Sequence, residues 1–77
     1  MIGHIRWQCR RGMLELDFIF ERFLNTRYAA LSDEKKILFE RLLKEDDPVL
    51  FDWLITKVPC TNLALKTIIQ EINNTEM

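Results

Sequence analysis

Apolar residues recur at three- and four-residue intervals in five separate stretches of the chain, and no run alternates long enough to make a strand. The spacing predicts an all-α chain, a compact five-helix bundle in a single domain over residues 1–77. Ile2 to Arg10 places Ile2, Ile5 and Cys9 on one face and turns Trp7 the other way, beside Arg10 and Arg11. Gly12 interrupts as a helix cap, able to take the left-handed conformation that redirects a chain. Met13 to Asn25 then carries Met13, Leu16, Ile19, Phe20, Phe23 and Leu24 as a core stripe. Leu14 and Phe18 fall outside that stripe, on the acidic side. Either they pack on another helix or they form an apolar patch for a partner.

Ser32 is a preferred N-cap, with Asp33 and Glu34 where the helix dipole favours negative charge. The third helix so begun buries Leu38, Phe39, Leu42 and Leu43, and Lys36, Glu40 and Lys44 make a solvated ladder. Asp47-Pro48 reads as an N-cap followed by proline at the first helical position. The fourth helix turns Leu50, Phe51, Leu54 and Ile55 inward with Trp53 at the edge, and Val58-Pro59 stops it. Thr61 or Asn62 caps a last helix whose stripe is Leu65, Ile68, Ile69 and Ile72. Residues 73–77 are expected to fray.

Composition narrows the function. Eleven Lys and Arg against twelve Asp and Glu leave a net charge of −1, too little field to gather nucleic acid or acidic lipid. No predicted helix presents the basic face that a DNA-reading helix needs. No stretch approaches the roughly 20 apolar residues of a membrane span, so a cytoplasmic protein without membrane insertion is expected. Cys9 and Cys60 lack metal-ligand spacing and read as reduced, packed thiols, so no metal site is expected. The one histidine, His4, lies near the terminus without a nucleophile beside it, and no glycine-rich loop follows a strand. A binding protein is expected, not an enzyme, and no catalytic residue is assigned.

The densest polar cluster is Arg10-Arg11-Gly12-Met13-Leu14-Glu15 at the first helix junction. A purely structural account has Gly12 capping, Glu15 offsetting a helix dipole and both arginines solvated. A functional account adds Trp7, because exposed Trp beside Arg is the composition of binding hot spots. At this point the two accounts stand side by side.

The segment WQCRRGMLELD contains RGxxE as Arg11, Gly12 and Glu15, and a second stretch, LSDEKKILFERLLKEDDPVLFDWL, spans Leu31 to Leu54. In these two pieces, in this order, the chain resembles the succinate dehydrogenase FAD assembly factors, or flavinators. The resemblance implies a chaperone-like five-helix protein. Its partner would be the flavoprotein subunit of succinate dehydrogenase, or of the related fumarate reductase. It would promote covalent attachment of FAD there without itself binding the cofactor tightly. The implied partner-binding residues are Arg11, Gly12 and Glu15, with Arg10, Trp7 and Asp17 around them. Members often carry Pro-Phe where this chain has Arg22-Phe23, so its second helix is expected to run further. An antitoxin-like or cytoskeleton-binding regulator using the same surface is the competing expectation.

Overall fold

The computed structural model describes the backbone of residues 2–75 and the side chains of residues 5–74. Five helices follow one another: α1 (Ile2–Gln8), α2 (Leu14–Thr26), α3 (Asp33–Leu42), α4 (Asp47–Leu54) and α5 (Leu63–Thr75). A single 3-10 turn, Tyr28–Ala30, links α2 to α3. Among the described residues there is no strand. The expected place of Ile2 on the apolar face of the first helix, and the reading of His4, concern side chains outside the described set.

The core collects one face of every helix: Ile5 and Cys9 after it; Leu16, Ile19, Phe20, Phe23 and Leu24; Phe39 and Leu42; Leu50, Trp53 and Leu54; Leu65, Ile68, Ile69 and Ile72. Phe39 is its hub. Its ring meets Phe20 edge-on at 6.0 Å between centroids, and lies against Phe23 at 5.2 Å and Tyr28 at 5.5 Å. Such pairings add to area burial because ring edges are positive and faces negative. α5 lays its apolar stripe across α2, α3 and α4, closing the bundle.

Helix ends show why these elements begin where they do. Ser32 accepts from the Lys35 backbone N–H, satisfying one of the donors that a helix start leaves unpaired. Asn62, not Thr61, starts α5, its Oδ1 accepting from the N–H groups of Ala64 and Leu65. α4 starts one residue earlier than the sequence suggests: Asp46 occupies the capping position without a side-chain bond, and Asp47 is already helical. The carboxylate of Asp47 is engaged elsewhere, as described below.

Three inward–outward assignments are corrected. Trp53, expected at the edge, is only 8% exposed, while Phe51 and Ile55 are half-buried. With α5 packed alongside, α4 is covered over a broader arc than one stripe. Leu38 is half-buried and not part of the core proper. Packing on another helix does not hold for Leu14 and Phe18, which are 81% and 60% exposed. They belong to an outer face of α2.

Candidate functional site at the first helix junction

α1 ends two residues short of the sequence expectation, and residues 9–13 form a loop before α2. Gly12 is therefore not the cap of α1. It lies immediately before Met13, the capping position of α2, at φ +84°, where a β-carbon would be strained. The space around it is open: a β-carbon there would meet nothing within 4 Å. The glycine is required by the path of the backbone and not by crowding.

Arg11 is not solvated. Its side chain is 15% exposed, with Nε donating to Asp47 Oδ1 at 2.9 Å. Nη1 donates to the Gln8 carbonyl at 3.0 Å and the Leu43 carbonyl at 2.7 Å, and Nη2 donates to the Glu45 carbonyl. The backbone N–H of Arg11 donates to Asp17 Oδ1 at 2.6 Å, which pins the loop to α2. One residue thus touches α1, α2, the end of α3 and the start of α4. Carbonyls at helix C-termini carry the negative end of the dipole and lack helical partners, so a cation held there is stabilised twice over.

The other residues of the cluster face outward. Trp7 is 76% exposed, Arg10, Gly12 and Glu15 are exposed, and among the described residues Arg10 and Glu15 make no ion pair. Glu15 lies in the first turn of α2, where the dipole favours its charge. One turn on, Phe18 carries the Arg22 guanidinium over its ring at 5.3 Å. Leu14, Phe18 and Glu15 share the outer face of α2 by helical spacing.

Beside this face, a groove of about 260 Å³ runs between α1 and α2, lined by Arg6, Cys9, Arg10, Asp17, Glu21 and Leu24. One wall is basic and the other acidic, because the pairs Arg6/Arg10 and Asp17/Glu21 each lie four residues apart on facing elements. That spacing was visible in the sequence, and it could have indicated the groove before the fold was known. The Cys9 thiol is pushed up to about 12 by burial, which outweighs the opposing pull of Arg11 and Arg6. It is no nucleophile near neutral pH. Among the described residues no cluster of three His, Cys, Asp or Glu could hold a metal ion. Both cysteines are free thiols; that of Cys60 donates to the Asn62 carbonyl.

Fold and junction together define the class: a small helical bundle whose concentrated surface chemistry is an exposed interhelical loop with an apolar helix face beside it. The family model described as flavinator of succinate dehydrogenase matches residues 3–76, and the chain belongs to that family. The FAD assembly factor SdhE of Coxiella burnetii is 46% identical over 68 residues, 88% of this chain and 83% of that protein. Its counterpart in Shewanella oneidensis is 45% identical over 71 residues, covering 92% and 87%. That of Idiomarina loihiensis is 47% identical over 66 residues, covering 86% and 73%.

Proposed function

We propose that this chain is an assembly factor that binds the flavoprotein subunit of succinate dehydrogenase and promotes covalent attachment of FAD to it. The observation that carries the reading is the exposed junction of Arg10, Gly12 and Glu15 flanked by Trp7, Leu14 and Phe18, in a chain of the flavinator family. Large apolar groups held in water beside unpaired charges cost solubility unless a partner covers them. Gly12, with open space around it, lets a partner's backbone approach the loop.

Covalent flavinylation needs the flavin ring held against its acceptor side chain, with stabilisation of the negative charge that develops on the ring. Both reactants belong to the flavoprotein. A protein that binds only the reactive arrangement of that subunit raises its population, and the rate with it, without donating a catalytic group. FAD is then incorporated into the partner, and this chain holds none tightly. The same reading extends to the flavoprotein subunit of fumarate reductase and places the work in the cytoplasm. Among the described residues no helix is long and apolar enough to cross a membrane.

In-gel flavin fluorescence of the succinate dehydrogenase flavoprotein, from cells with and without this chain, tests the reading. Covalent flavin that depends on the chain supports it. Equal fluorescence in both, with a toxin or filament protein recovered on the chain in a pull-down, overturns it in favour of a regulatory role.

A further inference from the structure

A guanidinium carries five N–H donors, and four of those on Arg11 are spent inside the chain: one on Asp47 and three on the carbonyls of Gln8, Leu43 and Glu45. Among the described residues nothing takes the fifth. The side chain is also mostly covered, unlike its neighbours Arg10, Gly12 and Glu15. Asp47 stands 36 residues away in sequence, at the first position of α4. Resting on the functional reading above, we propose that Arg11 and Asp47 are positioning residues. They clamp the α1–α2 loop to the α3–α4 loop so that Arg10, Gly12 and Glu15 meet the flavoprotein in one arrangement.

The chemistry requires arginine. Two carbonyls from the α3–α4 loop, one from α1 and a carboxylate converge from different sides, and only a planar fork with separate donors meets them together. Lysine would keep the charge and lose the fork. Asp17 completes the clamp from α2 by accepting the Arg11 backbone N–H. The arginine of the motif thus faces inward while the glycine and glutamate face outward. Residues 43–47, outside the motif, become part of the site's support.

The test compares wild type with Asp47→Asn, Arg11→Lys and their combination. It uses nitrogen-15 amide spectra of the free chain and titration with the purified flavoprotein subunit. In Asp47→Asn, which keeps an acceptor oxygen for Arg11 but removes its charge, the helical signal is expected to persist, the amide resonances of Gly12 to Glu15 to move, and affinity to fall about 3- to 10-fold. The combination is expected to bind no worse than Arg11→Lys alone, because both changes break one clamp. Ser32→Ala, which weakens a helix cap away from the clamp, is expected to leave affinity unchanged and so separates positioning from loss of stability. Arg11→Lys losing affinity while Asp47→Asn binds as wild type with unmoved amides would overturn the proposal, since Arg11 would then read the partner directly. A wild-type chain that does not bind the subunit overturns the functional reading. In that case the amides decide the clamp alone, and unmoved Gly12 to Glu15 resonances sink it.

Discussion

Gly12 and Cys9 are three residues apart and constrained by opposite causes, backbone in one case and burial in the other. With φ at +84° and open space for a β-carbon, Gly12→Ala is expected to destabilise by the left-handed backbone cost alone, roughly 1–2 kcal/mol. Gly12→Asn should cost less, because its short polar side chain tolerates that region. Thermal unfolding of the two variants orders them, and an alanine variant melting with wild type would show that the loop relaxes to a negative φ. Cys9 offers a pH prediction. Its ordinary value of 9.0 rises to about 12 in the fold, so as pH climbs past 9 the unfolded chain loses this proton first. Stability contributed by the neutral buried thiol is complete below pH 9 and is lost progressively toward 12. Urea midpoints across that window should fall more steeply for wild type than for Cys9→Ala; parallel slopes would contradict the burial argument.

Among the elements, α3 and α5 are joined outside the core by Glu71, which accepts from Lys35 and faces Arg27 at 3.5 Å. The hydrogen bond from Lys35 leads the causes that hold the Glu71 carboxyl below its ordinary value of 4.5. A depressed carboxyl stabilises the fold above its unfolded value and ceases to do so as pH falls through its folded one. Glu71→Gln should therefore flatten the acid limb of the stability curve below about pH 4.5. Near neutral pH it should cost at most about 1 kcal/mol, the scale of a partly exposed pair. Urea titrations from pH 3 to 7 check both parts. The helices themselves were legible in the sequence because each carries one apolar stripe and a cap or breaker, as with Ser32 and Pro59. The stripe of α4 puts Trp53 at the edge because a stripe says which face is apolar, not how many neighbours cover the helix. The Arg11 clamp was hidden for a different reason: three of its acceptors are backbone carbonyls, which carry no side-chain identity. Asp47, the one side chain among the described residues that accepts from the guanidinium, reads in the sequence as an ordinary cap.

At the scale of the whole molecule, the outer face of α2 proposed as a contact lies apart from the core, and that separation can be tested. A domain this small has a net stability near the low end of the usual range, about 5 kcal/mol. Truncating Phe39, which is fully buried among Phe20, Phe23 and Tyr28, would cost roughly 3–5 kcal/mol. Most of the fold would go with it. Leu14 and Phe18 lie at the other extreme, largely in water on the outer face of α2. Replacing both by Glu removes no core residue and only the covered part of Phe18, so stability should stay within about 0.5 kcal/mol per site. Losing the Arg22 contact over the Phe18 ring adds a few tenths at most, since exposed cation–π pairs lie near ~0.5 kcal/mol. The same change sets two carboxylates beside Glu15, where a partner's apolar surface would have to desolvate them. The doubly substituted chain is therefore expected to melt with wild type and to leave the flavoprotein subunit without covalent flavin in a complementation assay read by in-gel fluorescence. If it restores full flavinylation, the outer face of α2 is not part of the contact. Recognition would then have to be confined to the loop of Arg10 to Met13 and the groove beside it.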